Sequence, residues 1–384
     1  MQTYVPRQLA QQIKNSIKNY PVTALLGPRQ CGKSTLAKEF LSKIKKSIYL
    51  DLEKPSDRRK LENPELYFST QTTKIICLDE IQLQPDLFPV LRSVVDEQNR
   101  NGQFLILGSA SRDLIKQGSE SLAGRIDLLE LTPLLLNEIQ NDKINYLKLW
   151  NRGGFPRSLL ARSQSDSYRW RQNFIQTFLE RDIPQLGFNI PAKTLSRLWR
   201  MLAHNQGQLL NQSQLGNSMA CSHTTIRSYI DLLEQTFVIR VLPPFESNLK
   251  KRLVKSPKIY LRDSGLLHAL LEIENQEQLI GHPIIGASWE GFCIEQILSS
   301  TVGWRASHYR TSSQNEVDLV LQKGKKTIVV EFKISKSPKL SKGFWQIIKD
   351  IQPNESWVIC PVDESYPIEK NVFVGDVTSL IKRL

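Results

Sequence analysis

Eight residues near the start of the chain, Gly27-Pro28-Arg29-Gln30-Cys31-Gly32-Lys33-Ser34, fit the spacing G-x-x-x-x-G-K-[ST]. The glycines let the backbone turn tightly, so several N–H groups face one concavity, and a helix N-terminus behind them adds partial positive charge. Such a nest holds polyphosphate. Residues Gly27 to Thr35 would line it, with Lys33 reaching the β- and γ-phosphates of ATP, Ser34 ligating Mg²⁺ and Thr35 supporting the helix side. The plainer alternative is a glycine turn with an exposed lysine. Context argues against it, because the apolar run Val22 to Leu26 precedes the loop and helical periodicity follows from Thr35 to Ile44.

A second pair of chemical residues ends another apolar run. Lys74 to Leu78 leads into Asp79-Glu80. Beside a phosphate loop, Asp79 would hold the magnesium ion, directly or through water, and Glu80 would orient and polarise an attacking water. A third run, Phe104 to Leu107, ends in Gly108-Ser109-Ala110-Ser111, where Ser109 is placed to contact the γ-phosphate or the water. A serine turn or helix cap explains the same residues equally well. Arg125, after Gly124 in Ser121-Leu122-Ala123-Gly124-Arg125, is a candidate arginine finger, acting in trans if the chain forms a homo-oligomer.

The last third carries a different constellation. Glu290 lies on an expected helix at about 286–299, Asp318 in the strand Glu316 to Gln322, and Glu331-Phe332-Lys333 at the end of the strand Lys326 to Phe332. Lys323-Gly324-Lys325 is a hairpin turn signal between the two strands. This order of helix acid, strand acid and E-x-K resembles the PD-(D/E)xK nuclease fold. In that reading Asp318, Glu331 and Glu290 hold Mg²⁺ or Mn²⁺ through oxygens, and Lys333, on the same strand side as Glu331, acts on the water. The alternative is an ordinary strand pair with charged residues on its wet face.

Elements must position these groups. Short strands alternating with helices over the first 132 residues predict an α/β domain with a mainly parallel sheet. Residues 8–20 read as an amphipathic helix with Leu9, Ile13 and Ile17 on one face. From Pro133 the chain reads as helices punctuated by Gly153-Gly154, Pro156, Pro184 and Pro191. Asn211 or Ser213 caps a short helix, Ala220-Cys221-Ser222 makes a turn, His223 to Phe237 is a second helix, and Val238 to Leu242 returns as a strand. This unit resembles a winged helix-turn-helix, with Thr225 and above all Arg227 facing DNA; a packing module or helical lid is the alternative. Lys250, Lys251 and Arg252, with Lys255 and Lys258, form a basic stretch that either extends a phosphate-binding surface or is a solvated linker.

The 384 residues divide accordingly: 1–132 a P-loop ATPase core, 133–194 a helical lid or connector, 195–250 the winged helix, and 251–384 the mixed α/β nuclease-like domain. Hydrophobic residues at 40% and charged residues at 23% exclude a wholly disordered or collagen-like chain. The net charge of +13 favours polyanionic partners. The five cysteines form no C-x-x-C pair, which argues against a disulfide framework or cysteine zinc site and fits a reducing cytoplasm. No apolar run is long enough to span a membrane, and the first residues lack the apolar stretch of a signal peptide.

Taken together, GPRQCGKST, IICLDEIQ, GSASRDL, SLAGR, GGFPR and FLERDI resemble the prokaryotic AAA+-type ATPases that carry a C-terminal domain of uncharacterised function. The resemblance covers nearly the whole chain and implies ATP binding and hydrolysis with Mg²⁺. The expectation is an ATPase acting on nucleic acid through the winged helix and the nuclease-like domain. The alternative is a nucleotide-switched, STAND-like regulator whose C-terminal domain binds partners without cleaving them.

Overall fold

The computed structural model describes residues 4–109, 122–139, 145–246 and 253–384. Its chain forms two compact units, one of residues 1–134 with 235–237, the other of 135–234 with 238–384.

The first unit is built on five parallel strands: β1 (Val22–Leu26), β2 (Ser47–Asp51), β3 (Ile75–Asp79), β4 (Phe104–Gly108) and β5 (Ile126–Glu130). Their order across the sheet is β2-β3-β4-β1-β5. The central strands β1 and β4 are buried along their whole length, as continuous apolar runs covered on both faces must be. Ile13 and Ser16 of the helix Leu9–Asn19 face inward, and Ser16 Oγ lies 2.7 Å from Thr23 Oγ1 of β1. The side chains of Leu50, Phe68, Leu78, Leu91, Phe104 and Ile106 fill the core between sheet and helices. This is the α/β fold of a P-loop ATPase, and β4 lies between the strand that enters the phosphate loop and the strand that ends in Asp79. The three strand tips that carry chemistry therefore lie side by side.

The second unit begins as helices. In Gly153-Gly154-Phe155-Pro156, Gly153 has a positive φ of 75°, and a Cβ there would stand 2.1 Å from Asp263 Oδ1. Pro184 does not punctuate as expected. Phe178–Asp182 forms a π-helical turn that runs directly into the short helix Ile183–Gln185, so the chain passes through Pro184 without leaving helical geometry.

Asn211 caps the helix Gln212–Met219 by accepting from Gln214 N at 3.0 Å. Ala220, at φ 53°, makes the turn into the helix His223–Gln235. Gly216 allows the close approach, since a Cβ there would lie 2.8 Å from the Cys221 carbonyl oxygen. The strand that follows, β6 (Ile239–Leu242), pairs antiparallel with β7 (Lys258–Leu261).

The C-terminal sheet is mixed. It contains β8 (Arg305–Arg310), β9 (Glu316–Lys323), β10 (Lys326–Phe332), β11 (Glu355–Ile359), β12 (Tyr366–Glu369) and β13 (Val372–Gly375), in the order β12-β13-β11-β10-β9-β8. The hairpin β9–β10 turns at Gly324, φ 58°, and the β10–β11 and β11–β13 pairs are parallel. Tyr309, Val317, Val329, Phe344 and Val358 form its core. All five cysteines are unpaired. No helix among the described residues is long and apolar enough to cross a membrane.

Candidate functional site

The phosphate loop connects β1 to the helix Lys33–Leu41. Gly27 (φ 150°), Gln30 (φ 61°) and Gly32 (φ 107°) bend it. At Gly27 a side chain is excluded outright, because a Cβ would lie 2.1 Å from the carbonyl oxygen of Leu131. Lys33 is buried, and its Nζ donates to the carbonyl oxygens of Gly27 and Pro28, both at 2.9 Å, so the ammonium lies within the curve of the loop. Thr35 is exposed on the helix. Burial pushes the Cys31 thiol above its ordinary range, against the charges of Lys33 and Arg7.

Arg7, which the sequence reading did not select, braces this loop from outside. The residue is 7% exposed, and its guanidinium donates to the carbonyl oxygens of Cys31 (3.0 Å), Thr132 (2.6 Å) and Pro133 (3.3 Å). A trans peptide points its C=O and the next N–H in opposite directions. Holding the Cys31 carbonyl outward therefore turns the Gly32 N–H toward the inside of the loop.

At the tip of β3, Asp79 is buried and hydrogen-bonded to Ser34 and to the Tyr49 hydroxyl of β2. Burial pushes its carboxyl above the ordinary range, against the lowering effect of those two bonds. The Tyr49 phenol is pushed up by burial and by Asp79. Ser34 and Asp79 thus converge as hard oxygen donors, a set that fits Mg²⁺. Tyr49 was missed as well; its signal is a hydroxyl-bearing residue in the strand next to the one that ends in Asp79.

Glu80 takes a left-handed backbone, φ 57° and ψ 49°, which costs a non-glycine residue strain and is found where geometry is put to use. Its Oε2 accepts from Ser109 Oγ at 2.7 Å and from Gln82 Nε2. Gln82 Nε2 also donates to Ser109 Oγ at 2.9 Å, and Arg29 Nε approaches the same oxygen at 3.4 Å. The structure thus brings Lys33, Ser34, Asp79, Glu80 and Ser109 to one end of the sheet. Arg125 lies at the other end. Its carbonyl accepts from Val22 N, at the start of β1, and its guanidinium pairs with both oxygens of Asp96. A five-residue strand, about 16 Å long, separates it from the phosphate loop of its own chain. Ala110, Ser111 and Ser121 lie outside the described residues.

Three family comparisons bear on this geometry. The family described as an AAA domain matches residues 19–140, and two families described as domains of unknown function, DUF8612 and DUF4143, match 143–277 and 285–380. The uncharacterized protein Rv2008c of Mycobacterium tuberculosis is 40% identical over 366 residues, covering 95% of this chain and 82% of that one; Mb2031c of Mycobacterium bovis matches to the same extent. The chain belongs to the family of these mycobacterial proteins, and its first unit is an AAA domain. Among solved structures, the Walker-type ATPase PABY2304 of Pyrococcus abyssi is similar, with a TM-score of 0.50 over 70% of this chain and 96% of that one at 14% identity, which is a likeness of fold. The strand order, the phosphate loop and the Asp79-Glu80 pair of the AAA domain are those of an ATP-binding domain of ATPase type.

In the second unit, Thr225 is half-buried and Arg227 exposed on the helix His223–Gln235, with Ser222, His223, Thr224 and Ser228 exposed around them. Lys250, Lys251 and Arg252 lie outside the described residues, and Lys255 is exposed. Lys258 departs from the expectation of a basic stretch open to solvent. It is 2% exposed, because β7 carries it into the C-terminal acids. Its Nζ lies within 4 Å of Glu290, Glu316 and Asp318. Burial alone would lower its pKa, but the charges of Glu290, Asp318 and Glu316 raise it above the ordinary lysine range.

Around it, Tyr260 OH donates to Glu290 Oε1, Phe332 N donates to Asp318 Oδ2 at 3.0 Å, and Lys333 Nζ pairs with Glu331 Oε1 at 2.7 Å. Burial, followed by the charge of Asp318, pushes the carboxyls of Glu290 and Glu331 above the ordinary range. The structure therefore brings Glu290, Asp318, Glu331 and Lys333 together, with Lys258 and Tyr260 added. The expected Mg²⁺ or Mn²⁺ does not fit this donor set. A lysine ammonium stands where the carboxylates converge, and among the described residues no group of three or more His, Cys, Asp or Glu side chains is placed to hold an ion. A lysine and a tyrosine two apart in the apolar run Lys258–Leu261 are the signal that points to this face.

Proposed function

We propose that this protein is an Mg²⁺-dependent ATPase of AAA type that acts on nucleic acid, DNA above all. The observation that carries the hydrolytic part is Glu80, its carboxylate fixed by Ser109 and Gln82 beside Asp79 and the phosphate loop. In this reading the loop N–H groups and Lys33 bind the β- and γ-phosphates. Ser34 and Asp79 would hold Mg²⁺, which when bound would supply positive charge against the phosphates. Glu80 orients a water against the γ-phosphorus and accepts its proton; the bond to the β–γ bridging oxygen breaks, leaving ADP and phosphate. Ser109 keeps the Glu80 carboxylate aimed. Arg125, remote from its own phosphate loop, serves a neighbouring subunit, so the active form is a homo-oligomer.

The nucleic-acid part is supported by the net charge of +13 and by the exposed polar face around Arg227. The helix pair with Thr225 and Arg227 is the contact surface, in the manner of a winged helix, and Lys250, Lys251 and Arg252 are further phosphate contacts by their charge. A second reading, a nucleotide-switched STAND-like regulator whose C-terminal domain binds without cleaving, is favoured by the lysine-filled carboxylate cluster.

ATP hydrolysis measured with and without duplex DNA, alongside DNA binding at several salt concentrations, tests the proposal. Expected are DNA-stimulated turnover, affinity that falls with salt by about 0.9 log units per log unit and neutralised phosphate, and weaker binding by Arg227→Ala. ATP turnover indifferent to DNA, with no DNA or RNA binding, refutes the nucleic-acid part and leaves the regulator.

A further inference from the structure

The carboxylate cluster of the C-terminal sheet is already neutralised from within the chain. Lys258 Nζ stands 3.2 Å from Glu290 Oε1, 2.5 Å from Glu316 Oε1 and 3.6 Å from Asp318 Oδ1. These are acids from one helix and one strand, and the lysine comes from a third element, β7. Three of the remaining oxygens are committed too. Glu316 Oε2 pairs with Arg310 at 3.0 Å, Asp318 Oδ2 takes the Phe332 N–H, and Glu331 Oε1 takes Lys333. Glu331 Oε2 is left without a hydrogen-bond partner, in a side chain 11% exposed. A divalent cation bound between these acids would stand directly against the Lys258 ammonium, like charge beside like charge. Expelling the Lys258 ammonium to admit an ion would strand a buried positive charge beside it, which is costly.

We propose that Lys258 is the resident cation of this cluster, holding Glu290, Glu316 and Asp318 together in place of a divalent metal. The cluster is then not the metal centre of a nuclease. Lys258 also anchors β7, and through it β6, to the sheet that carries Asp318. The cluster is thus a structural joint inside the second unit, and its acids owe their burial to the lysine. This inference stands apart from the ATPase reading, since no residue of the phosphate loop takes part.

The test uses the full-length, nucleotide-free protein and Mn²⁺ counted by electron paramagnetic resonance. Wild type and Asp318→Asn should bind the same number of Mn²⁺ ions. Lys258→Met, close in length and uncharged, should bind one ion more than Lys258→Met/Asp318→Asn, and Mn²⁺ should raise its lowered Tm. Lys258→Arg, which keeps a cation, should gain none. One additional ion on wild type relative to Asp318→Asn overturns the proposal, and this arm decides even if Lys258→Met fails to fold. A folded Lys258→Met that gains no ion overturns it as well.

Discussion

Replacing Arg7 with methionine isolates what holds the phosphate loop to the end of the AAA domain. The guanidinium makes three bonds to carbonyl oxygens, at 3.0 Å to Cys31, 2.6 Å to Thr132 and 3.3 Å to Pro133. A hydrogen bond from a charged group nets about 1.5–3 kcal/mol, and the buried carbonyls left behind add a desolvation cost. Counting the two shorter bonds at the lower end gives a loss of about 3 kcal/mol for Arg7→Met. Arg7→Lys keeps one charged donor and should lose roughly half of that. Because the bond to Cys31 also orients the Gly32 N–H, ATP affinity should fall as well, by about tenfold if one loop N–H loses its aim. Urea unfolding gives the first quantity and titration with a fluorescent ATP analogue the second. A stability within about 0.5 kcal/mol of wild type together with unchanged ATP affinity refutes the reasoning, since that is the range of an ordinary surface substitution.

Ser109→Ala removes the 2.7 Å bond that aims Glu80; kcat should fall about tenfold while ATP affinity holds, a split that steady-state kinetics and nucleotide titration read separately. His268 predicts a pH dependence. It is fully buried, with Nδ1 3.0 Å from the Asn151 carbonyl oxygen and Nε2 2.7 Å from Ser288 Oγ, and burial pulls its pKa from 6.5 down to about 3. Trp150 Nε1 donates to Ser288 Oγ, so the serine hydroxyl is free to donate to Nε2 and the ring is neutral, protonated on Nδ1. The unfolded state binds a proton that the folded state refuses, so this contribution is complete above pH 6.5. It is lost at about 1.4 kcal/mol per pH unit as the pH falls toward 3. Urea unfolding at pH 7.5 and pH 5 should show a drop about 2 kcal/mol larger in wild type than in His268→Asn; equal drops would contradict the assignment.

The local devices were readable because local physics dictates them. The positive φ that Gly27 and Gly32 supply to the phosphate loop is local, and Asp79-Glu80 at the end of an apolar run reads as a strand tip without any tertiary knowledge. The hairpin at Gly324 and the Asn211 cap are of the same kind. Long-range pairing was not readable. Lys258 looked like one more charge in a basic run, and only the path of β7 past the helix Ile285–Ser300 and β9 turns it inward. Arg7 acts on residues more than a hundred positions away, and Tyr49 acts across a strand pair whose order depends on the whole sheet. The π-helical turn at Phe178–Asp182 escapes a reading based on a period of 3.6, because it inserts an extra residue into the helix.

The central claim is that Glu80 handles the proton of the attacking water, and Glu80→Gln tests it most directly. The substitution keeps the size of the side chain and an oxygen that accepts from Ser109, and removes only the charge and basicity. Single-turnover hydrolysis with saturating ATP and Mg²⁺, next to nucleotide binding on the same preparation, separates chemistry from affinity. Expected is wild-type affinity with turnover reduced by about 10²-fold or more, the ordinary worth of a general base. Hydrolysis at the wild-type rate would contradict it.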